Sequence, residues 1–462
     1  MTFSKPNVRL FFKAKPVLVL SLLIAIIINI IGQTVAMGND GTIRDITIQP
    51  GTNEFSRNFA WYANSNEQGQ VQLARASYSN NGSFPVDNAV TFNAAEGGRA
   101  TFLEGFRAYH VTASGLEPNT EYVYRVGNGG IWSNMHSFRT GASDNFSFVF
   151  VGDPQLHNHT ASTAAWQNNI NRALARWPEI TFIVSAGDQI DGSGSDVVGS
   201  ESHYSRLFSP SALRSLAFAP TLGNHDVAAN FNSRFNMPNL DRANGLTREV
   251  AGNYFYTYGN VLFLHLNSNN IDLAQHRAFM QAAIDSNPNA VWRIAVMHHT
   301  MYGVAAYGND TSRRHFHQLM DEFEVDIAFN GHDHIYSRSH QMLRNTAQLN
   351  QNVNENGQLV DPTGTVYITG NSASGSKYYA STGDFSAHNA FQYQSNTPNI
   401  SKIDMTPNSF TINTYRSVNT AADSEFILVE SFSIVKTIDY EPVVPQGILQ
   451  RIHRHLLSMS LR

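Results

Sequence analysis

Polar residues gather at the ends of five short apolar runs, and nothing else in the chain constrains its fold as strongly. The pieces are Gly152-Asp153-Pro154-Gln155, Gly187-Asp188-Gln189-Ile190-Asp191, Gly223-Asn224-His225-Asp226, Met297-His298-His299 and Gly331-His332-Asp333-His334. Each follows a run rich in Val, Ile, Phe or Leu. Each therefore reads as the mouth of a strand, where the chain leaves a core and presents polar side chains at one edge. Carboxylates, an amide oxygen and imidazoles are ligands suited to Mn, Zn, Fe or Mg rather than to a thiolate-loving ion. Turn formers and scattered histidines explain any one cluster, but not five in succession.

The chain is 462 residues long, which suits two or three domains. Only 15% of residues are charged, the formal net charge is −5, and there is no cysteine. Disulfides, thiolate chemistry and cysteine-based zinc sites are thereby excluded, while an oxidising, extracellular setting remains compatible. An acidic body without a basic stripe argues against a stable nucleic-acid partner. The first 36 residues hold Lys5, Arg9, Lys13 and Lys15 and no acid, then an apolar run from Val17 to Ile31, then Thr34-Val35-Ala36. This reads as a secretory signal peptide over residues 1–36 and a secreted or cell-envelope protein. An uncleaved anchor is the alternative, and would be the one route to membrane contact.

Residues 40–140 read as a β-sandwich. Runs with period-two alternation, such as Tyr122-Val123-Tyr124-Arg125-Val126, are separated by Gly, Asn, Ser and Pro. Trp61 is the expected core tryptophan. Leu116 to Tyr122 resembles the turn before a late strand of fibronectin type III domains, where a tyrosine closes a corner. From Phe146 strands begin to alternate with helices, with helical spacing over Ala161 to Trp177, Ile271 to Ser286 and His315 to Phe323. A hairpin is expected over 253–266 and further strands near 365–368, 403–405, 409–415 and 426–436. This order predicts an α/β two-sheet sandwich flanked by helices over 145–435, with 436–462 as a tail. Asn345 to Asn356 reads as an exposed loop, and Gly370 to Lys377 as a polar turn at the rim of the site.

The ordered set GD, GDxx[D/Y], GNH[D/E], a strand-end His and GHxH resembles the calcineurin-like metallophosphoesterase superfamily. With a fibronectin-like domain in front, the chain is most similar to the purple acid phosphatase group, over roughly residues 40–435. The resemblance implies an αββα fold and a dinuclear site of two divalent or mixed-valence ions (Mn, Zn or Fe). It implies Asp153 and His334 as ligands of the first ion, Asp188 as the bridging carboxylate, and Asn224, His298 and His332 as ligands of the second. It also implies hydrolysis of a phosphate monoester by a metal-held hydroxide, with His225 binding a phosphate oxygen or protonating the leaving group. Asp226 is the expected orienter of His225, and His299 and Tyr302 are candidate substrate contacts.

Two positions depart from the group. The purple enzymes carry a tyrosine ligand three residues after the bridging aspartate, and here that residue is Asp191. Without a tyrosinate the site is expected to be colourless. Other branches place a His or Gln ligand two residues after the first aspartate, and here Gln155 stands there. Gln155 and Asp191 are both taken as candidate metal ligands. Lys377 and Arg338 are possible substrate contacts, and His265, inside a strand, reads as a core histidine. No phosphate-binding glycine loop, nucleophile elbow or dinucleotide fingerprint is present. A phosphodiesterase of the same fold is one alternative, and a non-catalytic envelope or matrix binding protein the other.

Overall fold

In the computed structural model the described residues are 42–241, 252–305, 314–385, 387–419 and 424–438. The expected signal peptide and most of the expected tail lie outside them. Among the described residues no helix is long and apolar enough to cross a membrane.

The chain first forms a β-sandwich. One sheet runs Ile43–Pro50, Ser56–Ala63, Arg107–Ser114 and Arg99–Ala100. The other runs Val90–Asn93, Gly69–Arg75, Glu121–Asn128 and Ile131–Trp132, with His136–Arg139 also on Glu121–Asn128. Gly69–Arg75 alternates buried Val71 and Leu73 with half-exposed Gln70 and Gln72, as period-two patterning selects. Ser56–Ala63 is instead buried on both faces, Phe59 and Trp61 in the core and Asn58 and Tyr62 against the second part of the chain. Trp61 is buried against Tyr109, their rings 5.6 Å apart, and its indole N–H donates to Asn128 Oδ1 at 2.9 Å. The Tyr122 hydroxyl accepts the Glu117 N–H at 2.9 Å and closes the turn before its own strand.

The second part is an α/β sandwich of two sheets. Ala217–Pro220, Ile180–Ser185 and Phe146–Val151 pair in parallel. Late strands complete that seven-stranded sheet, with Asn399–Thr406 antiparallel on Phe146–Val151. In the eight-stranded sheet Val261–Leu266, Trp292–Met297, Ile327–Asn330 and Thr365–Thr369 run parallel, with the expected hairpin partner Tyr254–Tyr258 at the edge. Phenylalanine rings fill the space between the sheets, stacked in the Phe148–Phe182 and Phe150–Phe329 pairs and edge-to-face in Phe148–Phe263. Phe148 lies 4.9 Å from Phe182 and 5.5 Å from Phe263, and Phe150 lies 4.2 Å from Phe329. Each such side chain contributes about 1.5–3 kcal/mol by leaving water.

Helices cover the outer faces. Along Val261–Leu266, Val261 and Phe263 face the other sheet, while Leu262, Leu264 and Leu266 meet Phe279 and Met280 of the helix Leu273–Asp285. Trp166, Ile170 and Ala173 of the helix Thr160–Arg176 form its buried face. His265 is buried between the sheets, its Nδ1 2.8 Å from Thr221 Oγ1, and burial pushes its pKa down to about 3, so the ring is neutral. Two helices that hydrophobic spacing does not announce follow the polar motifs, Val197–Leu207 and Ala228–Arg234. The third expected helix is short, a turn of 3-10 helix leading into His317–Glu322.

A candidate metal centre at the strand mouths

All five motifs emerge at the carboxyl ends of parallel strands, three from one sheet and two from the other. Those ends carry carbonyls that no further strand residue covers, and loops there meet across the sandwich. The loops are tied to one another through the backbone. Gln155 N donates to Asp188 O at 2.7 Å, Asp191 N to Leu156 O at 2.9 Å, and Gly331 N to His298 O at 2.9 Å. Asp153 accepts the His332 N–H at 2.9 Å on both carboxylate oxygens, and Asp188 Oδ1 accepts the His225 N–H at 2.8 Å.

This interlocking demands unusual backbone. Asp153, Gln155, Asp188, His332 and His334 all adopt positive φ, between 38° and 70°. Side chains other than glycine reach that region at a cost of about 1–3 kcal/mol each, sustained only where surrounding structure dictates it. Gly187, at φ 108°, also allows close approach, because a Cβ there would lie 2.6 Å from His298 Nδ1.

Asp153, Gln155, Asp188, His298 and His334 are buried, while Asn224 is exposed and His225 and His332 are half-buried. The cluster is closed below and open on that side. His298 Nδ1 lies 3.0 Å from Ala186 O and so carries a proton towards it. In the neutral ring Nε2 then holds the lone pair, yet it faces Asn224 Oδ1 at 2.9 Å, Asp188 Oδ1 at 3.3 Å and His332 Nδ1 at 3.2 Å. Nε2 at this spot either carries a proton, donating to the Asn224 and Asp188 oxygens, or turns its lone pair to a cation shared with them. One donor atom each from Asp188, His298 and His332 lies within 4.8 Å of the others, a group able to hold a metal ion.

Beside it, His334 Nδ1 lies 3.0 Å from Lys377 O, which turns Nε2 towards Asp153 Oδ1 at 3.5 Å. Gln155 Oε1 is buried there without a hydrogen-bond donor. An orphaned oxygen and inward-facing imidazole lone pairs fit cations. The electrostatics agree. Burial alone would lower the His298 pKa, but the carboxylates of Asp188 and Asp153 outweigh it and raise it to about 9. Burial alone would raise Asp188, but His298 and His225 outweigh it and bring it down to about 2. Positive charge is favoured at this spot.

The remaining expected residues are placed as follows. Asp191 Oδ1 is occupied by His225 Nδ1 at 3.0 Å, Lys377 Nζ at 3.1 Å and Gln155 Nε2 at 3.3 Å. The His225 hydrogen bond, joined by Lys377 and opposed by burial, holds its carboxyl far below the usual range. Asp226, the expected orienter of His225, turns away and accepts from Gly223 N, Gln189 N and Tyr204 Oη at 2.9, 3.0 and 3.2 Å. The carboxylate on His225 is that of Asp191. Burial, with Asp188 nearby, raises Asp226 to about 7.

His299 is buried with its ring 4.7 Å from that of His332 and Nδ1 2.9 Å from Ser268 Oγ. Tyr302 packs on Tyr367 in the core beneath the helices and donates to Asn345 Oδ1 at 2.9 Å. Arg338 lies in a different setting, gripping Glu430 through Nε and Nη2 at 3.0 and 2.8 Å over the Phe432 ring. Lys377, by contrast, reaches the site.

Residues 43–140 match the family described as Purple acid Phosphatase, N-terminal domain, and residues 146–336 match Calcineurin-like phosphoesterase. The chain belongs to the calcineurin-like metallophosphoesterase superfamily, in its purple-acid-phosphatase-like group. Among curated proteins it is 25% identical over 310 residues to "Purple acid phosphatase 23" of Arabidopsis thaliana, covering 56% of this chain and 61% of that protein. It is 24% identical over 254 residues to "Acid phosphatase type 7" of Mus musculus, covering 50% and 56%. The chain thus spans about three fifths of the curated family members it matches.

Its fold superposes on the purple acid phosphatase PPD1 from yellow lupin, Lupinus luteus, with a TM-score of 0.65 at 15% identity, covering 86% of this chain and 74% of that one. It superposes on PhoD with a TM-score of 0.55 at 13% identity, covering 89% and 95%. Both share the family fold.

Proposed function

We propose that the chain is an exported hydrolase of phosphate monoesters that uses two metal ions. Residues 145–435 form the catalytic unit and residues 40–140 a sandwich packed against it. The observation that carries the reading is the set of acceptors converging on His298 Nε2, with the orphaned Gln155 Oε1 beside it. Asp188, Asn224, His298 and His332 would hold one ion. Asp153, Gln155 and His334 would hold the other, with Asp188 shared. When bound, the ions supply Lewis-acid stabilisation of charge on the phosphoryl oxygens and lower the pKa of water.

The protein residues do the rest. Asn224 contributes a neutral oxygen, so the cluster keeps enough positive charge to attract phosphate. Asp191 accepts the Nδ1 proton of His225 and fixes the ring, leaving Nε2 to serve the substrate. A proton on Nε2 passes to the departing ester oxygen as its bond to phosphorus breaks, so the alcohol leaves neutral. The Asp191 hydrogen bond, opposed by burial, raises the His225 pKa, the direction a proton donor needs. Export is supported by the basic residues ahead of the Val17–Ile31 run.

The test is metal analysis of the purified protein with hydrolysis of chromogenic monoesters and diesters, with and without chelator. Chelator-sensitive monoester cleavage is expected. Asp188→Asn should abolish turnover and reduce bound metal. No chelator-sensitive hydrolysis under any metal loading would favour a binding protein instead, and wild-type turnover in Asp188→Asn would remove the shared-carboxylate role.

A further inference from the structure

Lys377 stands on a loop tied by hydrogen bonds to two of the candidate metal ligands, Asp153 and His334. Ser372 Oγ donates to Asp153 O at 3.1 Å, and Ser376 N donates to Ser372 Oγ at 3.1 Å. The Lys377 carbonyl accepts from His334 Nδ1 at 3.0 Å. Gln394 Nε2 bridges the loop to the last motif, donating to His334 O at 2.7 Å and Tyr379 O at 2.9 Å. The lysine is therefore anchored at its backbone by one expected ligand, while its side chain crosses to Asp191 Oδ1 at 3.1 Å.

That ammonium has three N–H donors, and Asp191 engages one of them. Its side chain is 34% exposed, beside the similarly exposed ring of His225, which shares the same carboxylate oxygen. Two N–H donors thus flank Asp191 on the open side of the cluster, one of them the Lys377 ammonium. Lys377 also offsets a carboxylate charge that would otherwise face an incoming anion. A monoester dianion feels such a charge about twice as strongly as a diester monoanion, because the Coulomb energy scales with the product of charges.

We infer that Lys377 binds a terminal oxygen of the phosphoryl group and sets the site's preference for monoesters over diesters. The inference rests on the phosphoesterase reading above and names the residue that sets its substrate class. A lysine that served only to restrain Asp191 would affect both ester classes alike through His225. One that contacts the terminal oxygen affects chiefly the dianion.

The experiment compares wild type, Lys377→Met and Lys377→Arg, each loaded with metal and assayed for bound metal. Kinetics on a monoester and a diester are measured with calorimetric titration by inorganic phosphate. Losing a charged hydrogen bond predicts that Lys377→Met drops monoester kcat/KM by about 30-fold and phosphate affinity by about 10-fold, with diester kcat/KM falling about threefold. Lys377→Arg, which keeps the charge, should retain the monoester preference within about threefold. Equal losses on both esters, or unchanged preference and phosphate affinity in Lys377→Met, would overturn the inference while leaving the phosphoesterase reading intact. Should Lys377→Met not hold metal, Lys377→Gln, which keeps a polar side chain without the charge, takes its place: a selective loss on the monoester supports the inference, and equal losses on both esters overturn it. A wild type that cleaves neither ester would remove the phosphoesterase reading itself.

Discussion

His298 has one nitrogen fixed by a backbone carbonyl and the other surrounded by oxygen and nitrogen acceptors, a setting that raises its proton affinity and equally suits a metal. Asp191 shows the complementary logic. Its carboxylate oxygen takes three donors, so it stays ionised and serves His225, although it occupies the position where the purple enzymes carry a tyrosine ligand. Asp191→Asn is expected to lower turnover of an alkyl phosphate by about 100-fold. An aryl phosphate, whose leaving group needs no proton, should lose much less, and bound metal should be unchanged. Equal losses on both esters would leave His225 without a proton-donor role. The same substitution of tyrosine by aspartate predicts a metal-loaded protein with no intense visible absorption. A strong band would point instead to another tyrosinate, with Tyr379 first in line because its ring lies 4.9 Å from that of His334.

At the scale of elements, positive-φ residues mark where strand mouths have been bent to bring side chains together, and glycines mark where they approach too closely for a Cβ. Gly187→Ala combines both penalties, with φ at 108° and a Cβ 2.6 Å from His298 Nδ1. It should destabilise the protein by at least about 1–3 kcal/mol and reduce metal content, read by thermal unfolding and metal analysis. Unchanged values for both would mean the loop relaxes freely.

The strand mouths were legible in the sequence because polar motifs repeated after apolar runs. The helices Thr160–Arg176 and Leu273–Asp285 were legible because their apolar residues recur at helical spacing. Val197–Leu207 was not, because its buried side includes Ser200 and Glu201, residues that hydrophobic spacing counts as exposed. Nor could spacing tell Asp191 from Asp226 as the partner of His225. That choice depends on how two loops from neighbouring strands cross. The contact of Lys377 with Asp191, 186 positions apart, is likewise visible only once both sheets are assembled.

Across the whole molecule, a buried charge cluster joins the N-terminal sandwich to the segment behind the third motif. Arg234, in the helix Ala228–Arg234, pairs with Asp45 of the first strand and with Glu201, its guanidinium 3.8 Å from the Tyr62 ring centre. Breaking a buried ion pair from one side strands the partner charges, so Arg234→Met should cost about 3–5 kcal/mol in unfolding free energy. Burial alone would raise the Asp45 carboxyl, but Arg234 and Arg44 outweigh it and hold it below its usual value. A carboxylate with a depressed folded pKa contributes stability above its unfolded value, about 3.9, and loses that contribution as pH falls through the folded value. The stability gap between wild type and Asp45→Asn should therefore be full near neutral pH and narrow as pH drops below about 4. Denaturant titrations at pH 7, 5, 4 and 3, using the unfolding midpoint and slope at each (~1 pH unit steps suit a single carboxylate), would measure it. A gap that stays constant to the lowest pH would show that Asp45 acts through packing rather than charge. The clamp would then stabilise the sandwich without making its attachment sensitive to acid.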